Sequence, residues 1–213
     1  VEVGGITSTS ASDDKISNCH TNATLIGSST IGGIIGTSDR TYINNCFVEG
    51  EITLNDNAVE ARVGGIAGQI NYNYQDTVDI VLNNNIIDIA NITIPKKVTT
   101  RYVHRVVGHS SGDNWEYDWD NIDWSQPQSQ WPRLYQSADR CLRNSYIISD
   151  LTAFDANIAL TDTTTEGATL AREEITTEWL TEHEFAITDS NRIWIINEES
   201  SLTLWFEEKL GID

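Results

Sequence analysis

Residues 109–141 gather the side chains best suited to holding a ligand. Trp115, Tyr117, Trp119, Trp124 and Trp131 fall there, interleaved with Asp113, Glu116, Asp118, Asp120 and Asp123. Four of the seven tryptophans in the chain lie in this segment. Exposed aromatic faces stack on sugar rings, and neighbouring carboxylates bind hydroxyl groups or calcium. The same residues also suit a structural role, with rings folded onto the body of the protein and acids facing water. Both readings stay open on sequence. Asp118, Asp120 and Asp123 are the calcium candidates, although the stretch lacks the glycine and terminal glutamate of an EF-hand loop. Apart from calcium, no cofactor is expected.

A second constellation is basic: Lys96, Lys97, Arg101, His104, Arg105 and His109. Within it, His104 and Arg105 are candidate ligand-binding residues, since a cation beside a base is what a polysaccharide lyase requires. The competing reading is a terminal repeat that has relaxed its consensus. Cys19 and Cys46 hold matching positions in successive repeats. Stacked parallel strands lie about 4.8 Å apart, slightly wide for a disulfide, so packed reduced thiols are expected. No G-x-S-x-G, H-E-x-x-H or phosphate-binding loop occurs, and no catalytic residue is assigned.

Composition narrows the partners. Asp and Glu outnumber Lys and Arg 32 to 13, for a net charge of −19, and most of the excess falls after residue 106. Such a surface repels phosphate backbones, which argues against nucleic acid. No stretch is long and apolar enough to span a bilayer as a helix. The chain opens inside a repeat and contains no methionine, so it reads as part of a larger polypeptide.

The elements that must position these residues come from an internal repeat. Val3-Gly4-Gly5-Ile6, Ile31-Gly32-Gly33-Ile34, Val63-Gly64-Gly65-Ile66 and Val103-His104-Arg105-Val106 align without gaps. Each is followed by a second motif: Ile16-Ser17-Asn18-Cys19, Ile43-Asn44-Asn45-Cys46, Leu82-Asn83-Asn84-Asn85 and Leu142-Arg143-Asn144-Ser145. The apolar runs are short and β-branched, and no helical period appears before residue 108. This pattern predicts an all-β fold, a right-handed parallel β-helix of about four rungs with a small α+β C-terminal cap. The glycine pairs, Gly32-Gly33 and Gly64-Gly65, are expected to bend the chain through unusual dihedrals, so that Val63 and Ile66 both face inward. Asn18, Asn45, Asn84 and Asn144 are expected at a left-handed corner, their amides bonded into a ladder. An antiparallel sandwich is the alternative architecture.

The combination of G-G-I-x-G with a following I-x-N-C-a-x-x-G resembles the GLUG motif repeat, with Ile31–Gly50 as the best copy. That resemblance implies a bacterial secreted or cell-surface protein, adhesin-like, or a spacer in a larger surface peptidase. The fourth copy departs from it at His104-Arg105 and Ser145.

Two regions are expected. Residues 1–159 form the repeats, with the insertion at 109–141, and residues 160–213 form a helix-and-strand cap. A helix is expected over 170–183, capped by Thr169, with the whole segment covering the open end of the stack. The expected function is non-enzymatic, adhesion or ligand presentation, with a glycan or a host or matrix surface component as partner. The alternative is a carbohydrate-binding or carbohydrate-active β-helix.

Overall fold

The computed structural model describes residues 1–11, 14–39, 41–71, 82–111, 115–117, 119–131, 133–135, 142–148, 167–185, 193–196 and 202–204. The chain is mostly β, and its main sheets are parallel. The first sheet takes Glu2–Gly4, Thr30–Gly32, Glu60–Gly64 and Thr100–His104, in that order across the sheet. The second takes Thr7–Ser10, Ile35–Asp39, Ala67–Asn71 and Val107–Ser111. The third runs through Lys15–Ser17, Tyr42–Asn44, Leu82–Thr93, Leu142–Ile147 and Ala168–Thr169, and His20–Gly27 and Phe47–Leu54 pair within it.

Each copy of the repeat therefore supplies one strand to each sheet, and copies adjacent in sequence are adjacent in the sheet. The register is that of the motif. Val3 pairs with Ile31, Ile31 with Val63, and Val63 with Val103. In the third sheet Ile16 pairs with Ile43, Ile43 with Leu82, and Leu82 with Leu142. Like side chains stack on like, so the apolar columns of Ile, Val and Leu form one continuous core. Because the pairings of these three sheets are parallel among the described residues, the antiparallel sandwich does not describe this chain.

Val63 and Ile66 are both fully buried, so the bend at Gly64-Gly65 does turn both inward. The reason differs from the expected one. Among the described glycines only Gly50 and Gly167 have positive φ. The paired glycines answer instead to close backbone approach. A Cβ on Gly33 would lie 2.1 Å from the Gly65 carbonyl oxygen, and one on Gly64 would lie 2.2 Å from that of Ala67. Neither space admits a methyl group.

Asn18, Asn45 and Asn84 occupy the left-handed region, with φ of 53°, 53° and 52°, as a corner asparagine can. Their side chains do not form a ladder. The Asn45 amide donates to the Glu184 carbonyl at 3.0 Å, and that of Asn84 to the His183 carbonyl at 2.7 Å. Asn18 Oδ1 accepts from the Trp194 indole at 3.2 Å. The left-handed corner turns these amides toward the C-terminal segment, where those of Asn45 and Asn84 share the His183 carbonyl. The bond between rungs is made by the next residue, Asn85, which is fully buried. It accepts from the Cys46 N–H at 3.1 Å and donates to the Ile43 carbonyl at 2.9 Å. The side chain of Asn144 lies outside the described residues.

The C-terminal part contains a 3-10 turn at Arg172–Glu174, an α-helix at Thr177–Glu182, and an antiparallel pair of Trp194–Ile196 with Leu202–Leu204. The helix is shorter than expected. Thr176, not Thr169, caps it, accepting from the Trp179 N–H at 3.2 Å. Thr169 is instead paired with Ile147 as the outermost strand of the third sheet. Leu170, Ile175, Leu180, Phe185, Trp194, Leu202 and Leu204 pack on Phe47 and Ile86 as a second core. Because Asn18, Asn45 and Asn84 belong to three successive copies, this segment lies along a flank of the stack. Among the described residues, the neighbourhood of Gly167–Leu170 covers the end expected to be capped, where the Leu170 N–H bonds the Ile147 carbonyl at 2.9 Å.

Candidate ligand-binding surface

The tight bend between the first and second sheets brings outward-facing residues seven apart into contact. In one copy the Arg62 guanidinium donates to Gln69 Oε1. In the next copy Tyr102 and His109, the register partners of Arg62 and Gln69, pack ring to ring with centroids 4.3 Å apart. The polar chain continues from Gln69 to Asn71 Oδ1 at 2.6 Å, and from Asn71 to Asp39 Oδ1 at 2.9 Å. Glu60 accepts from Arg62 Nη2 with both oxygens at 3.1 Å. Arg62 Nε is buried with no partner among the described residues. Parallel strands hold this row rigidly, since every member sits on a hydrogen-bonded ladder.

The electrostatics select the kind of ligand. Glu60 neutralises Arg62. The ion pair is partly exposed, which limits its contribution to stability to about 0–1 kcal/mol. Burial lowers the pKa of His109, the Arg62 and His104 charges lower it further, and Glu60 opposes them. The imidazole is therefore neutral at pH 7 and both donates and accepts. Amide, carboxylate and imidazole groups in a row beside a tyrosine face suit a neutral polyhydroxyl compound better than an anion. None of Glu60, Arg62, Gln69, Asn71 or Asp39 stood out in the sequence. Their signal is the seven-residue spacing across the glycine bend, visible only once the register is known.

The two candidates in the broken repeat separate. His104 is half-buried at the end of its strand, in register with Gly64. Arg105 is 7% exposed, its side chain turned inward. Its guanidinium donates to the Gly167 carbonyl and to Thr169 Oγ1, both at 3.3 Å. The geometry explains the loss of glycine here. A Cβ on Gly65 would lie 2.4 Å from the Arg105 carbonyl, so each glycine makes room for the following copy. No fifth copy of the motif follows Arg105, and its side chain takes that place to fasten residues 167–169.

The insertion contains an antiparallel pair, Trp115–Tyr117 with Arg133–Tyr135, and 3-10 turns at Trp119–Asn121 and Gln128–Gln130. Trp131 is anchored by its indole N–H on the Gln126 carbonyl at 3.1 Å. Trp124 meets it edge-on at 5.1 Å and is 69% exposed. The side chains of Trp115, Tyr117 and Trp119, and all of Asp118, lie outside the described residues. Asp120 is exposed. Asp123 Oδ1 accepts from Ser125 Oγ and N–H at 2.7 and 3.0 Å, which lowers its pKa. Among the described residues no group of three or more His, Cys, Asp or Glu is placed to hold a metal ion, and no helix is long and apolar enough to cross a membrane.

By its fold the chain is a β protein of stacked parallel sheets carrying a rigid polar row and an exposed tryptophan. No protein-family model, curated protein or solved structure matches it.

Proposed function

We propose that the chain is a non-enzymatic module of a secreted or cell-surface bacterial protein, built to present a binding surface. The three sheets would close into a right-handed β-helix of GLUG type spanning residues 1–159, with residues 160–213 as its brace. One observation carries this reading: successive copies stack in strict register, so residues at fixed repeat positions form rigid outward rows. Such a scaffold holds a surface in shape over a large area. The acidic charge disfavours nucleic acid and leaves neutral glycans or matrix proteins as partners.

A glycan ligand is the more specific reading, favoured by the exposed Trp124 and the Tyr102–His109 row. A glycan array combined with a reducing-sugar assay tests both levels. Retention of a neutral glycan without release of reducing ends is expected. Loss of at least tenfold in affinity is expected for Tyr102→Ala or Trp124→Ala with unchanged circular dichroism. Turnover of any polysaccharide would replace the presentation reading with a carbohydrate-active one. Normal binding by both variants would remove these two residues from the site.

A further inference from the structure

Cys19 and Cys46 are free thiols at matching corners of adjacent copies. The flanking pairs Ser17 with Asn44 and His20 with Phe47 set them side by side, and the Phe47 N–H bonds the Cys19 carbonyl at 2.9 Å. Cys46 is fully buried, whereas Cys19 is only half-buried. The Cys19 thiol rests 3.4 Å from the Ser17 carbonyl, and that of Cys46 rests 3.3 Å from the Asn44 carbonyl. One thiol thus meets solvent, and the other stands behind it.

We propose that Cys19 and Cys46 form a reactive dithiol, Cys19 attacking a disulfide-class oxidant and Cys46 resolving the adduct into a disulfide between adjacent copies. The neighbouring Cys46 thiol lowers the Cys19 pKa to about 7 against the burial that raises it, so a large share is thiolate at neutral pH. The same contact, with burial, pushes the Cys46 pKa up and keeps it protonated until needed. The Cys19 thiolate attacks one sulfur of the oxidant, whose S–S bond breaks and whose other sulfur leaves as thiolate. Cys46 then gives its proton to water and attacks Cys19 Sγ, expelling the second thiolate. Two protein thiols are oxidised and one disulfide is reduced.

The strand spacing of about 4.8 Å is wide for the Cβ atoms of a disulfide, yet as a Cα separation it falls inside the range of roughly 4.4–6.8 Å that disulfides span. The Cβ atoms must converge to about 3.8 Å. Both residues follow left-handed asparagines at a corner between strands, and the shift must be made while the Cys46 N–H holds Asn85 Oδ1 and the Cys19 and Cys46 carbonyls hold the Phe47 and Ile86 N–H groups. A bond closed under this constraint is of the readily reduced kind.

The test uses the full chain with Cys141→Ser, so that only these two thiols remain, and dithionitrobenzoate as oxidant at pH 7. Release of two chromophores per chain is expected, leaving unlabelled protein whose peptide map links Cys19 to Cys46. In Cys46→Ala, which removes the side-chain donor, one chromophore should be released and the adduct should persist on Cys19. Its rate should fall about fivefold, because the lost thiolate fraction is partly offset by higher intrinsic nucleophilicity. A stable adduct on Cys19 while Cys46 is intact would overturn the proposal, and so would equal rates with and without Cys46. The peptide map of the chain retaining both cysteines decides between disulfide and adduct even if Cys46→Ala misfolds.

Discussion

At Gly33 one methyl group decides whether two copies can stack. The added carbon would lie 2.1 Å from the Gly65 carbonyl and 2.3 Å from Val48 Cγ1. Backbone cannot yield without breaking the ladder, so Gly33→Ala should cost about 3 kcal/mol or more in urea unfolding. Asn45 makes a different demand. Its φ of 53° suits glycine as well as asparagine. Asn45→Gly should therefore lose only the amide's bonds to Glu184 and His183, about 1 kcal/mol, whereas Asn45→Ala should lose about 1–2 kcal/mol more through backbone strain. His109 reports on its surroundings. Burial is the leading cause of its lowered pKa, so Tyr102→Ala should return its titration midpoint toward the ordinary 6.5, followed by NMR. The folded state binds fewer protons than the unfolded one between the lowered value and 6.5, so His109 disfavours the fold as pH falls through that window. Because His109 is partly exposed, the effect is small.

At the scale of elements, the C-terminal brace depends on a cap and an aromatic cluster. Thr176 supplies the helix with a side-chain acceptor for a first-turn N–H. Thr176→Ala should cost about 1 kcal/mol. Trp179 stacks on His183 with centroids 3.9 Å apart, and the Tyr146 ring meets both edge-on. Trp194 is fully buried against Phe185, and its N–H holds Asn18. Trp194→Ala removes far more than the cap does, about 3–5 kcal/mol, and leaves the Phe47 and Ile86 surface partly open. Dye binding to the exposed apolar flank, with β signal retained in circular dichroism, would show that the brace had loosened and the sheets had not.

For the molecule as a whole, the strands of the main sheets pair with strands a full repeat away. Arg105 ties the last copy of the glycine motif to the chain beyond it, through Gly167 and Thr169. Arg105→Ala should free residues 167–169 and speed proteolysis there, with little change in protection of the first three copies. Equal protection throughout would show that the end strand is held by its ladder bonds alone. Such non-local pairing also slows folding, since each loop must close before its contacts form. Refolding should fall in the millisecond-to-second range typical of β topologies.

The repeat was legible because parallel stacking demands that identical positions meet. Val3, Ile31, Val63 and Val103 align in sequence and pair in space for the same reason. The left-handed asparagines were legible too, since few other residues accept that geometry. The sequence by itself thus determined the parallel sheets, their register and the inward columns. It did not determine what the outward side chains touch. Arg105 read as a ligand residue, yet it is an internal fastener. The asparagine amides read as a ladder, yet they hold the C-terminal segment. Arg62, Gln69 and Tyr102 did not stand out and His109 read as part of a basic cluster, yet Arg62 meets Gln69 and Tyr102 meets His109 across the glycine bend. Register is local and repetitive, so it is written in spacing. Contacts between one sheet's outer face and another, or with a segment more than a hundred residues away, depend on how sharply the chain bends and where its end returns. Only the tertiary structure decides those.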